Sequence, residues 1–242
     1  FRAIAGQSHV LALSRINSWV SIARVPTNVV YSEAVVLIPL YSMSAFAVLQ
    51  SQIHELWARF LSSTAIELLR YSPSNCFETF PFPEHFAKHL VLEQVGQECY
   101  DFRAVLMVKN NEGMTKTYNR FHDPEEKSRD MLRLRELHAG MDRAVLDAYG
   151  WTDLKPTYEF FLDYDDEDDD DDEDSEKRRR KKPWRYRWQD EIRDEVLARL
   201  LKLNAERAEE ERLSGKAADA NDSGKNGKHN AKKESARGAL FD

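Results

Sequence analysis

The sequence predicts an α+β fold, with a small N-terminal β-rich subdomain followed by a mainly α-helical C-terminal region that carries a disordered acidic and basic insert and a disordered tail. Three observations predict it. Short runs rich in β-branched residues crowd positions 8–41. Apolar residues then recur at three- and four-residue spacing in several longer stretches. Blocks of like charge, which repel one another and cannot form a core, follow after position 162.

The strands are expected at His9–Ser14, Val20–Val25 and Val35–Leu40, separated by Asn17-Ser18, Pro26-Thr27-Asn28 and Ser32-Glu33. Ser42 or Ser44 can cap a helix that runs to about Arg70, with Phe46, Leu49, Ile53, Leu56, Trp57 and Phe60 on its apolar face. His54 and Trp57 face the core side and read as packing residues. Next comes Arg70 to Pro83, with three phenylalanines among three prolines. Proline fixes its own φ and pushes the preceding residue to extended geometry, so this segment reads as a stiff, non-helical strap held down by Phe77, Phe80 and Phe82.

A long helix is expected from about Pro83-Glu84 to Lys109, carrying Phe86, Leu90, Val91, Val95, Phe102, Val105 and Leu106, with Gly96 as a point of interruption. Asp123-Pro124-Glu125-Glu126 has the form of a helix start, with proline at the first helical position and an acid three residues after the cap. The helix it opens should present Leu134, Leu137, Met141, Val145 and Ala148 on one face and end at Gly150. Ten consecutive acids, Asp165–Asp174, then meet six consecutive bases, Lys177–Lys182, and a last helix is expected from about Trp188 to Leu213. The resulting organisation is 1–83, 84–160, a charged linker over 161–186, a helix over 187–213 and a tail over 214–242.

At 242 residues and 42% hydrophobic, the chain can bury a sizeable core. It shows no membrane-length apolar run and no charged-then-apolar leader, so a cytoplasmic location and no membrane partner are expected. Cys76 and Cys99 lack metal-ligand spacing and read as buried thiols. Residues 1–162 hold 16 Lys or Arg against 18 Asp or Glu, so the folded part is nearly neutral. A free-standing nucleic-acid binder usually shows a basic excess, because phosphate neutralisation supplies most non-specific affinity. Any such contact here must come from a local cluster or from one wall of a larger clamp.

Several chemistries are missing. No two of the eight prolines are adjacent and no two of the nine glycines lie two residues apart. That leaves neither an Asn-Pro-Pro-Tyr-type loop for a flipped adenine nor a glycine-rich turn for S-adenosylmethionine. There is also no P-loop, nucleophile elbow or His-Glu-x-x-His helix. No catalytic, cofactor-binding or metal-ligating residue is assigned.

Taken in order, Leu49–Phe60, the strap Arg70–Pro83, Gly113–Pro124, Leu132–Asp142, Val145–Trp151, Tyr186–Trp188 and Val196–Leu201 resemble the C-terminal part of large adenine-N6 DNA methyltransferases. The likeness is to the MmeI-like and type IIG-like fused restriction and modification enzymes and to methylases of related phage-defence systems. It covers most of residues 1–213 in consistent order. The resemblance implies a target-recognition domain plus helical tail, with double-stranded DNA and the N-terminal methyltransferase domain as partners, the latter in the same parent chain or as a split subunit. S-adenosylmethionine is then the cofactor of the parent, with none in this fragment. The rival reading is a helical interaction module of a defence complex that makes no base contacts.

Sequence reading by a protein needs arginine for guanine and asparagine or glutamine for adenine, with other polar groups on phosphates. Under that resemblance the candidates in the sheet region are Arg15, Asn17, Arg24 and Asn28, all in or beside predicted loops. Arg70 could hold a phosphate, or close a helix C-terminus through the macrodipole. Lys116, Tyr118, Asn119 and Arg120 form a polar cluster suited to backbone contact, against which stands a turn knitted by Asn119 and His122.

Overall fold

The computed structural model describes residues 4, 6–62, 68–162 and 184–215. The chain divides into two compact units, Phe1–Leu197 and Ala198–Asp242. The expected α+β arrangement is present, a β-rich start followed by helices. The acidic and basic blocks and the C-terminal tail lie outside the described residues.

Unit 1 begins with β1 (His9–Ser14), β2 (Ile16–Asn17), β3 (Ala23–Pro26) and β4 (Val35–Ile38). The first, third and fourth form an antiparallel sheet in the order β3-β1-β4, with Leu11 opposite both Arg24 and Ile38. Val10, Leu11, Ala12 and Leu13 are all buried, so the central strand is covered on both faces. The expected strand at Val20–Val25 is shorter and shifted, because the Val20 carbonyl and the Ile22 amide bond the Gln50 side chain and leave the ladder.

The single helix expected from Ser42 to Arg70 is two helices and a strand: α1 (Met43–Gln50), α2 (Gln52–Leu61) and β5 (Leu69–Arg70), the last paired with β2. Ser51 makes the break. Its backbone is extended and its hydroxyl accepts from the His54 amide, capping α2. The next amide, Gln52 N, donates to Asp142 Oδ1 at 2.9 Å. Arg70 therefore sits on a strand and does not close a helix.

The strap also departs from expectation. Residues Pro73–Phe77 form a π-helical turn, closed by the Glu78 amide on the Pro73 carbonyl. Phe80 is buried, edge-on to His54, Trp57 and Phe82, whereas Phe77 and Phe82 are only half-buried.

Helix α3 (Leu90–Asn110) starts later than expected, after a 3₁₀ turn at Phe86–Lys88, and Gly96 does not interrupt it. Its buried face is Leu92, Gly96, Cys99, Arg103 and Leu106, while Leu90, Val91 and Val105 are exposed. Gly96 lies against α1, where an added Cβ would fall 2.1 Å from the Met43 carbonyl oxygen. Arg103 is buried without a carboxylate among its described partners. Its guanidinium donates to Gln50 Oε1, the Tyr118 hydroxyl and the Ile22 carbonyl, and it lies within 6 Å of the Phe46, Tyr100 and Tyr118 ring centres.

Helix α4 (Met114–Phe121) precedes α5 (Arg129–Ala148), which begins five residues beyond the expected Pro124 start. Asp123 instead closes a tight turn by accepting from the Glu125 amide, and Ser128 becomes the N-cap residue. The buried side of α5 includes Leu134, Leu137, Met141 and Val145 as expected, and the helix ends at Gly150 with φ 77°. Beyond it, β6 (Tyr158–Leu162) pairs antiparallel with β7 (Trp184–Trp188), a hairpin that takes residues from both ends of the expected charged linker. Gln52 of α2 bonds both the Tyr186 carbonyl and the Trp188 amide of β7. Helix α6 (Asp190–Leu213) follows, and its residues from Ala198 onward are the described part of unit 2. Among the described residues no helix is long and apolar enough to cross a membrane.

Burial sets the ionisation of this core. His54 donates Nδ1–H to the Leu49 carbonyl at 2.8 Å and meets the Tyr71 hydroxyl at 3.1 Å. Burial lowers His54 to about 4 and His138 to about 3. Asp142 moves the other way: desolvation raises it to about 7 although Gln52 N and the Tyr158 hydroxyl both donate to it. With its folded value above the unfolded one of 3.8, Asp142 contributes stability that is complete below that value and lost as pH rises through about 7. The buried histidines act oppositely, losing stability on acidification below 6.5. They are common to both proteins in a comparison of the parent with Asp142→Asn. The stability difference should therefore shift in the variant's favour by about 1–3 kcal/mol between pH 5 and pH 8. Urea midpoints across that range test this, and a pH-independent difference would contradict it.

Candidate functional site

The first open feature of the β-rich part is a cleft of about 470 Å³ over one face of the sheet. Alternation along the strands turns Ala12 and Ser14 of β1, Ala23 and Val25 of β3 and Val35 of β4 towards this side. Small residues at Ala12 and Ala23 leave the floor hollow. Tyr31 and Asn17 line it with the first turn of α4, Met114 and Thr115. A second cleft of about 650 Å³, between α3 and the start of α4, is lined by Tyr100, Arg103, Met107 and Asn111 and shares Ala23 and Met114 with the first. No local pattern signals this neighbourhood, because α4 (Met114–Phe121) lies far along the chain from the strands it meets.

The structure separates the nine expected contact residues into three groups. Arg15, Asn17 and Arg70 come together on the β2–β5 ribbon, where Arg70 opposes Ile16 and the Tyr71 amide donates to the Arg15 carbonyl. Arg15 is partly spent on the fold, since its Nε donates to the Glu33 carbonyl at 2.9 Å. Asn17 is partly spent too, with Nδ2 on the Ser14 carbonyl at 2.6 Å. Arg70 is exposed.

Arg24 and Asn28 form the second group. Arg24 is not in a loop but in the middle of edge strand β3, and it is exposed. Asn28 is exposed in the loop that follows. Among the described residues neither side chain makes a hydrogen bond, so both present their full donor sets to solvent.

The third group, on α4, is mostly consumed by the fold, which corrects the expectation of a contact cluster. Tyr118 is buried, its hydroxyl shared between Arg103 and His138, and burial pushes its pKa up to about 12. Arg120 pairs with Glu126 at 2.8 Å and Glu112 at 3.0 Å. The Arg120 hydrogen bond draws Glu126 down to about 2, and the same pairs raise Arg120. Such a doubly paired cation has little left for a phosphate. Asn119 accepts from Trp19 Nε1 at 2.8 Å, and His122, stacked on Trp19, accepts from the Tyr186 amide. Lys116, 3.4 Å from Glu112, and Asn119 remain exposed.

Trp19 is the residue that sequence reasoning missed. It ties β2's neighbourhood to α4, and the Arg185 guanidinium lies 4.7 Å from its ring centre. Its indole N–H and flat face were the available signals. Among the described residues no group of three or more His, Cys, Asp or Glu is arranged to hold a metal ion. The arrangement offers partly apolar clefts on one face of the sheet and the exposed Arg24 of edge strand β3 on the other, which suits recognition.

Residues 4–84 match the family model described as the MmeI target recognition domain. A solved structure of the type IIL restriction-modification enzyme MmeI in complex with DNA is similar at 25% sequence identity with a TM-score of 0.49, over 60% of this chain and 19% of that one. The chain thus spans about a fifth of the length of that solved protein. No curated protein matches it.

Proposed function

We propose, from the match of residues 4–84 to the MmeI target recognition domain, that the chain supplies DNA target recognition and scaffolding to a site-specific adenine-N6 DNA methyltransferase of a restriction-modification or related phage-defence system. In this reading the methyl transfer and its S-adenosylmethionine belong to a catalytic domain in the rest of the parent or in a partner subunit. The matched segment is the single observation that carries the reading. The exposed edge strand with Arg24, followed by Asn28, supports it, since these side chains are exposed and uncommitted.

The roles divide by chemistry. Arg24 reads a guanine and Asn28 an adenine in the major groove, while Arg70 and Lys116 hold phosphates. The test is selection of duplexes from a randomised pool with the chain in low salt, where phosphate contacts are strongest. An enriched motif is expected. Arg24→Ala should then relax one base position, losing about 1–3 kcal/mol of discrimination there. Arg70→Ala should weaken all duplexes alike and reduce the salt slope by about 1. A pool that stays random after selection would overturn the recognition reading.

A further inference from the structure

The loop between β3 and β4, residues 27–34, carries an apolar tip on a tied frame. At its entry, the Thr27 amide donates to the Ser8 carbonyl at 3.1 Å and the Thr27 hydroxyl to the Gln7 carbonyl. At its exit, Arg15 Nε donates to the Glu33 carbonyl and the Arg15 amide to the Ala34 carbonyl at 2.8 Å. Across the middle, the Tyr31 hydroxyl donates to the Pro26 carbonyl at 2.8 Å, and the Val35 amide closes on the Ser32 carbonyl. Asn28, Val29 and Val30 stand out on one limb and Ser32, Glu33 and Ala34 on the other; the exposed valines are Val29 at 46% and Val30 at 88%.

A single exposed valine is ordinary. Two in sequence, on a loop held at both limbs, next to an uncommitted asparagine and the exposed Arg24 of the preceding strand, are not explained by the fold. Val30 buries too little to stabilise it. Both valines are β-branched and stiff at χ1, so little side-chain freedom is lost when they meet a partner. The neighbouring Arg24 and Asn28 supply donors suited to base edges, and the apolar tip adds what donors cannot give.

Resting on the recognition reading above, we propose that Val30, backed by Val29, reads the C5-methyl group of a thymine in the major groove. That methyl is the one apolar mark by which a major groove distinguishes a base, and an aliphatic side chain is its natural contact. Removing a single methyl from such a contact costs about fourfold in affinity.

The experiment uses the whole chain and the duplexes it enriches from the randomised pool. Each thymine is replaced in turn by deoxyuridine, which keeps base pairing and removes only the methyl. At one position the parent should bind about fourfold more weakly, and Val30→Ala should show no such loss there, because its own contact is already gone. Since Val30 lies almost wholly in solvent, the variant should keep the parent's urea midpoint, and this is measured alongside. If the parent is insensitive to deoxyuridine everywhere, if no thymine is enriched, or if Val30→Ala responds as the parent does, the proposal is overturned while target recognition stands. If no duplex is enriched at all, both readings fall together.

Discussion

Gly96→Ala is expected to destabilise the protein by about 3 kcal/mol. Helix α3 approaches α1 so closely at this point that the new Cβ would meet the Met43 carbonyl at 2.1 Å and the Met43 carbonyl carbon at 2.9 Å. Backbone cannot rotate away as a long side chain can. Every residue of α1 is buried, so the helix has no solvent side towards which to shift. The higher helix propensity of alanine returns only about 1 kcal/mol. Urea midpoints measure the outcome, and a cost under about 1 kcal/mol would show that the two helices separate freely.

Phe80→Ala should cost about 3–5 kcal/mol, through lost burial of the ring and the cavity left behind. The ring lies 4.9 Å from both His54 and Phe82 and 6.3 Å from Trp57, centre to centre. Its removal would open a void beside the His54–Tyr71 pair. Water entering there would ease the desolvation that holds His54 at about 4, so His54 should titrate closer to 6.5 in the variant. Denaturant midpoints give the first quantity and NMR titration of the imidazole the second. A midpoint unchanged within about 0.5 kcal/mol would mean that the strap is not anchored by this ring.

How far the chain could be read depended on whether a feature was local. Strand β1 was legible from its own residues, as was the end of α5 at Gly150, where a glycine takes the left-handed conformation. The break at Ser51 was not, because apolar spacing continues on both sides of it and the capped amide of Gln52 is satisfied by Asp142 from α5. The buried face of α3 was misjudged for a related reason. Hydropathy favours Leu90, Val91 and Val105, yet the face that packs contains a glycine and an arginine. Gly96 allows contact that no larger residue would, and Arg103 is tolerated because three acceptors and three rings surround it.

The same division runs through the candidate site. By itself the sequence determined the fold class, the short strands, the apolar helices, the near-neutral charge of the first 162 residues and the residue types able to meet bases or phosphates. Only the tertiary structure decided which of those groups stay available. The sequence makes both Arg24 and Arg120 candidates for meeting DNA, one beside apolar strand residues and one in a polar cluster. Folding leaves Arg24 on an exposed edge strand and seats Arg120 between Glu112 and Glu126. A cation's freedom depends on what folding brings across from it, and that partner is chosen by packing, because burying a charge without one costs more than any local preference can return.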